Sequence, residues 1–352
     1  MKEYNLKKVS IYIGTDVFGQ LTETLINHSY SKVFVLVDEI TEKLCYPLLQ
    51  KHLFELKLIQ ISSGEKNKNT ITTQFIWTEL QKHNADRNSV LLNLGGGMIT
   101  DIGGFSASTY KRGIDFINIP TTLLGMVDAS IGGKTGIDFN GVKNMVGLFS
   151  NPVSVYIFPD FLQSLPKTEL INGFAEVIKH ALIADPVLWQ NLSEITTDDF
   201  QKIISLIAPS VKIKIKVVKK DPQEKSLRKI LNFGHTLGHA IESYSLENDS
   251  KPLKHGEAVA IGMICEAFLS REILNLSKEE LNVISRYILK FFPKYPIQSV
   301  LSPEVIKFVY HDKKNISESF NFTLLKRIGK ASINHSCTEL QITRALNYYE
   351  SL

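Results

Sequence analysis

The residues with the most specific chemistry lie in the second half of the sequence. Asn232-Phe-Gly-His235-Thr-Leu-Gly-His239 places two imidazoles four residues apart, on one face of a helix. His255 stands in Lys-His-Gly-Glu257, and Glu176 lies beside Lys179 and His180 in an amphipathic stretch. Imidazoles with a carboxylate suit a divalent metal that keeps one position open to polarise a substrate oxygen. Spacing alone pairs His235 with His239 as ligands. The alternative is two neighbouring histidines capped by hydrogen bonds.

The first half offers a different chemistry. Leu94-Gly95-Gly96-Gly97-Met98-Ile99-Thr100-Asp101 stands where a predicted strand gives way to a predicted helix. Glycines there let the backbone approach a phosphate, and the helix start presents unpaired N–H groups. A plain strand-to-helix turn is the alternative, since the spacing is not Gly-x-Gly-x-x-Gly. Asp38, ending the first strong strand, either accepts ribose hydroxyls or serves the turn. Lys134 in Ser130-Ile-Gly-Gly-Lys-Thr-Gly136, and Lys143-Asn144 after Gly141, put ammonium groups and an amide in glycine-rich segments that otherwise read as solvated loops. The run Lys212, Lys214, Lys216, Lys219 and Lys220 has no interleaved aromatics and reads as a solvated helix face.

These groups need elements to hold them. Val33–Asp38, Ser89–Leu94 and Phe116–Ile119 are short apolar runs of the kind buried on both faces of a parallel sheet, and Thr70–His83 has helical spacing. Strand and helix alternating in this way predict an α/β domain over residues 1–159. A mostly helical domain is predicted over residues 160–352, with helices at 167–184, 200–218, 227–244, 257–271 and 278–291 and a late strand pair across 322–333. Val211 to Val217 alternates strictly, as a strand would, but the longer window keeps the helical period.

Composition bounds the answer. The chain has 352 residues, 43% apolar and 22% charged, with a net charge of +4, which excludes disorder and is too mild to imply nucleic acid. Cys45, Cys265 and Cys337 are odd in number and widely spaced, which excludes a disulfide framework or a cysteine zinc module. Charges interrupt the first apolar stretch, and no run approaches about 20 apolar residues. No membrane association is expected, and the cytoplasm is the expected location.

Taken together, the motifs resemble those of the 3-dehydroquinate synthases, within the sugar-phosphate cyclases. They are Gly64-Glu-Lys-Asn-Lys68, Gly95 to Asp101, Tyr110-Lys-Arg-Gly113, Pro120-Thr-Thr122, Val127 to Thr135, Lys143 to Phe149, Asn172 to Lys179, Leu231 to His239, His255 to Ala260 and Asp312-Lys-Lys314, in the family's order. The resemblance implies an NAD-binding α/β domain, a helical metal-binding domain, and an active site in the cleft between them. By that likeness the metal, zinc or cobalt, is held by Glu176, His235 and His255, with His239 near the substrate phosphate, so the simple pairing of His235 with His239 gives way. NAD falls to Asp38, Glu65, Lys68, Gly96, Gly97, Met98, Asp101, Thr121, Thr122, Lys143 and Ser164. Asp128 and Lys134 are shared between cofactor and substrate. Asn144, Lys179, Lys214, Arg228 and Asn232 fall to the substrate, with Lys313 or Lys314 reaching in. Arg112 is implied to cross the interface of a homodimer.

The implied reaction takes a seven-carbon heptulosonate phosphate through NAD oxidation at C5, phosphate elimination, reduction, ring opening and aldol closure, with no net redox change. Rival readings are a sister cyclase acting on another sugar phosphate and a glycerol-dehydrogenase-like alcohol dehydrogenase. Lys214, Asn232 and His239 favour dehydroquinate. Ser164 in place of a common threonine and Met98 in place of a frequent valine are the mild departures, together with Glu39-Ile40 after Asp38.

Overall fold

The computed structural model describes residues 1–53, 55–140, 142–193, 195–196, 199–296, 302–311 and 320–352. It divides into two compact units, Met1–Leu170 with Lys214–Lys219, and Ile171–Ile213 with Lys220–Leu352.

The first unit runs β1 (Lys2–Leu6), β2 (Val9–Ile13), α1 (Val17–His28), β3 (Val33–Asp38), α2 (Glu39–Leu44), α3 (Tyr46–Gln50), β4 (Leu56–Ile61), α4 (Thr70–Lys82), β5 (Val90–Gly95), α5 (Gly97–Thr109), β6 (Asp115–Pro120), β7 (Lys134–Phe139), β8 (Val142–Phe149) and β9 (Ser154–Ile157). Its sheet has the order β1-β2-β9-β6-β5-β3-β4, parallel throughout except for the β1–β2 hairpin. Every residue of β5 is buried, which is why its sequence is a run rather than an alternation. The chain goes from β3 outward to β4 and then returns past β3 to β5, so the strand order reverses between β3 and β5. In open α/β sheets, ligands bind outside the carboxyl ends of the strands at such a reversal. The strand ends there are Asp38 and Gly95.

One hairpin was not anticipated. The glycine-rich segments carrying Lys134 and Lys143 form β7 and β8 rather than loops. Glycines mask the alternation: a Cβ on Gly136 would sit 2.9 Å from the Val146 carbonyl, so that face of the ladder has no room for side chains. The other β8 positions leave Val142, Met145, Val146, Leu148 and Phe149 exposed.

The rest of the chain runs α6 (Lys167–Ala184), whose first turn belongs to the first unit, α7 (Pro186–Ser193), α8 (Phe200–Ser205), α9 (Ile207–Lys220), whose residues Lys214–Lys219 also belong to the first unit, α10 (His235–Asn248), α11 (His255–Leu274), α12 (Lys278–Phe291), α13 (Ser302–His311), the hairpin β10 (Phe320–Arg327) and β11 (Lys330–Cys337), and α14 (Glu339–Ser351). Residues 211–217 are helical, as the longer window predicted. The helix expected over 200–218 breaks at Leu206 into α8 and α9. The helix expected over 227–244 is also interrupted. Leu227–Asn232 is a 3₁₀ turn, and Gly234, at φ 80°, restarts the chain as α10. Gly234 takes that left-handed conformation without the penalty a side chain would bring.

Candidate active site

In the second unit, Glu176 and Lys179 lie one turn apart on α6, both 1% exposed, with an ion pair between Lys179 Nζ and Glu176 Oε2. Oε1 of the same carboxylate is 3.6 Å from His235 Nε2 and 3.7 Å from His255 Nε2. Four tetrahedral ligands at about 2.1 Å from a zinc ion stand roughly 3.4 Å apart, so this spacing matches a metal-ligand set. Each imidazole is turned by its other nitrogen. His235 Nδ1 lies 3.2 Å from the Phe233 carbonyl, and His255 Nδ1 lies 3.3 Å from Glu242 Oε2. A partner that accepts from Nδ1–H leaves Nε2 as the lone-pair donor, as in metal-bound histidines. The donor chemistry fits a divalent ion. His239, one turn after His235, also converges: donor atoms of His235, His239 and His255 lie within 4.8 Å of one another.

The electrostatics agree. Burial, then the Lys179 ammonium, drives His235 well below the usual imidazole range, so it is neutral. Burial also opposes protonation of His255, but Glu242 and Glu176 outweigh it and lift this histidine to about 9. Without an ion, His255 carries the proton that an ion would displace.

Around this centre, Asn232 donates to Glu224 at 2.6 Å, and the buried Arg228 donates to the Pro222 carbonyl at 2.6 Å. Asn172 accepts the Gly256 N–H at 2.6 Å, which fixes the start of α11 beside His255. Glu242, Glu266 and Asn172 were not singled out from sequence as site residues. Glu242 follows His235 by two helical turns, and Glu266 is the one acid in the apolar stretch 258–270; those were the available signals.

In the first unit, Lys68 is the hub. Its ammonium donates to Asp101 at 2.6 Å and to Asn144 at 2.7 Å, with Glu65 at 3.5 Å. Burial would discharge it, but Asp101 and Glu65 hold it protonated. Gly96 caps α5 without a side chain, and Gly97 and Met98 form its first turn. A Cβ on Gly96 would come within 3.0 Å of the Thr122 methyl, so the backbone there stays bare, as a phosphate cradle requires. Thr121 N–H bonds the Gly95 carbonyl at 3.0 Å, and Thr122 accepts from Gly125 at 3.1 Å.

Asp128 pairs with Lys214 at 2.7 Å. That lysine is buried while its neighbours Lys212 and Lys216 are exposed, so the basic run is a solvated face with one inward exception. Asp38 uses Oδ1 to cap α2, accepting from Ile40 and Thr41 at 3.0 and 2.8 Å. Ser164 bonds the Phe161 carbonyl at 3.1 Å. Lys134 opens β7 and Lys143 lies on β8. Arg112 is exposed at φ 69° beside a cavity of about 700 Å³. Lys313 and Lys314 lie outside the described residues.

Family models described as 3-dehydroquinate synthase N-terminal and C-terminal match residues 58–172 and 173–315. A 3-dehydroquinate synthase of Parabacteroides distasonis is 40% identical over 348 residues, covering 98% of each chain. The chain belongs to the 3-dehydroquinate synthase family. Two solved sugar-phosphate cyclases share the fold. A 2-deoxy-scyllo-inosose synthase complexed with carbaglucose-6-phosphate, NAD⁺ and Co²⁺ has a TM-score of 0.87 at 20% identity, covering 99% of both chains. A 2-epi-5-epi-valiolone synthase from Streptomyces hygroscopicus, with NAD⁺ and Zn²⁺ bound, has a TM-score of 0.85 at 25% identity, covering 100% of this chain and 99% of the other. The expected family and fold class, an α/β unit followed by a mostly helical one, are those of the 3-dehydroquinate synthases. No helix among the described residues is long and apolar enough to cross a membrane.

Proposed function

We propose that this chain converts 3-deoxy-D-arabino-heptulosonate 7-phosphate to 3-dehydroquinate and inorganic phosphate, as a carbon–oxygen lyase that depends on NAD and a divalent metal. The observation that carries the reading is the likeness to a curated 3-dehydroquinate synthase along nearly the whole of both chains. When bound, NAD takes up and returns a hydride and the zinc or cobalt ion polarises the hydroxyl oxygen undergoing oxidation.

The chain's residues divide the work. Glu176, His235 and His255 hold the ion. Lys179, Lys214, Arg228, Asn232 and His239 bind the substrate's charged and hydroxyl groups, with Asn144, Lys134 and Asp128, and their cations keep the phosphate where it can take its own proton on leaving. Gly96, Gly97 and Met98 at the start of α5 cradle the cofactor's phosphates. Asp38, Glu65, Lys68, Asp101, Thr121, Thr122, Lys143 and Ser164 complete its pocket. The enzyme acts in the cytoplasm, a reading supported by its three buried free cysteines.

It works as a homodimer in which Arg112 completes the partner's site. Support comes from the exposed apolar residues of β8 and the exposed, left-handed Arg112. Mixing an Arg112→Ala chain with a His235→Ala chain tests this, because one hybrid site then has both a metal centre and a donated arginine. Recovery of activity is expected, and none would refute donation.

The reaction is tested by phosphate release from the heptulosonate phosphate with catalytic NAD, before and after chelation. Release that needs both NAD and metal, without NADH accumulating, is the expected result. Turnover of another sugar phosphate instead would assign a sister cyclase, and stoichiometric NADH from an alcohol would assign a dehydrogenase.

A further inference from the structure

Two helices each present a candidate ligand as their first residue: His235 opens α10 and His255 opens α11. Each helix also carries a buried carboxylate farther along, and each carboxylate reaches the start of the other helix. Glu242, two turns into α10 and 2% exposed, places Oε2 3.3 Å from His255 Nδ1. Glu266, three turns into α11 and fully buried, accepts the N–H groups of Gly234, Thr236 and Leu237 at 2.6, 3.1 and 3.3 Å. We propose that Glu242 and Glu266 are positioning residues that cross-brace the two helices, each setting the imidazole borne by the other helix for a divalent ion. The inference rests on the reading that His235 and His255 hold a metal.

The physical argument starts from α10. Its cap residue is Gly234, which has no side chain to satisfy the first-turn N–H groups. Unpaired and buried, those groups would be costly, and an anion at a helix N-terminus is favoured by the dipole as well. Glu266 supplies that anion from the neighbouring helix. It therefore fixes where α10 begins, and so where His235 leaves the backbone. Glu242 acts on the side chain instead: accepting from Nδ1–H, it leaves Nε2 of His255, 3.7 Å from Glu176 Oε1, as the nitrogen that gives up its proton to an ion.

Both reaches depend on close helix packing. A Cβ on Gly262 would lie 1.9 Å from the Gly234 carbonyl oxygen, and one on Gly238 would lie 3.0 Å from that of Ala258. The bare glycines let the helices meet backbone to backbone, within the span of a glutamate.

The test uses the full chain, stripped of metal and reloaded with Co²⁺. It reads the dissociation constant by chelator competition, the cobalt ligand-field absorption, and the melting temperature of the metal-free form. Glu242→Gln keeps the shape but loses the charge, and should weaken Co²⁺ binding about 10- to 100-fold with shifted bands, beyond any lowering of metal-free melting that follows from loss of the His255 ion pair. Glu266→Gln retains an acceptor and should weaken binding less than Glu266→Ala, which orphans three N–H groups and also lowers the melting temperature. Wild-type protein that fails to bind one Co²⁺ per chain would overturn the metal reading itself. Wild-type binding matched by both glutamine variants, with unchanged bands, would overturn the cross-brace alone. So would variants that melt earlier yet bind Co²⁺ with wild-type affinity when folded.

Discussion

Lys68 in the first unit and Lys179 in the second are both almost wholly buried beside a carboxylate, at 3% and 1% exposure, yet their surroundings are built to opposite patterns. Around Lys68 the cation sits at the centre, with Asp101, Asn144 and Glu65 as acceptors converging on it. That cluster contains its own positive charge. In the second unit the carboxylate sits at the centre. Lys179 takes one oxygen of Glu176, while the other faces two imidazole nitrogens whose far sides are already bonded. The first cluster pairs a cation of its own with each acceptor, whereas the second brings one carboxylate oxygen and two imidazole nitrogens to the spacing of a metal-ligand set, where an ion can displace the His255 proton. Burial of charge alone therefore does not distinguish the two clusters; which sign stands at the centre does.

The largest effect should come from breaking the second pattern. Glu176→Gln and His235→Ala are each expected to lower phosphate release by roughly a hundred- to a thousandfold, the scale of losing a group that stabilises developing charge. Elemental analysis should show the metal lost with it. Lys68→Met should leave the metal in place, and loss of metal there would erase the distinction between the two clusters.

Lys68→Met tests the first pattern by stability instead. Removing one partner of a buried pair costs about 3–5 kcal/mol, while replacing both with apolar side chains is far milder. Denaturant unfolding of Lys68→Met, Asp101→Leu and the double variant should show the double recovering most of the loss. Strictly additive losses would mean that the pair is not coupled.

Gly262→Ala should cost about 1–3 kcal/mol by overpacking the α10–α11 contact. It should also weaken metal binding, because the helix starts move apart. Unfolding with and without metal separates the two effects.

A pH effect on the metal-free protein follows from His255. Its folded value, about 9, lies above the ordinary 6.5 because Glu242 and Glu176 overcome burial. Protonated His255 therefore adds stability that is full below pH 6.5 and lost as pH rises through about 9. The metal-free melting temperature should fall across that window, after allowance for the protein's other groups by comparison with His255→Gln. The metal-loaded form should lack this component, since a bound imidazole has given up its proton. The smallest effect is expected at Lys212→Ala on the exposed face of α9, within about 0.5 kcal/mol and without consequence for activity.

Much of this was legible in the residues. Apolar runs marked β3 and β5, helical spacing marked α4 and α12, and the ordered motifs marked the family. The hairpin β7–β8 was hidden because its glycines, which allow the strands to meet, also suppress alternation. The restart at Gly234 was hidden because apolar spacing continues across it, while the break depends on a carboxylate supplied by another helix.

By itself, then, the sequence determined which chemistry was present: imidazoles, a buried-type carboxylate, a glycine turn and clustered lysines, most of them on elements that local periodicity could name. Tertiary structure alone decided which of them meet. Lys214 turns inward from an otherwise solvated row because Asp128 lies within 2.7 Å of it. Glu242 and Glu266 join the histidine centre because two glycine-faced helices touch. The reason is physical. Periodicity records which side of an element is buried, but the partner on that side belongs to a segment distant in the chain, and only packing brings the two within the few ångströms at which a hydrogen bond or a shared ion exists.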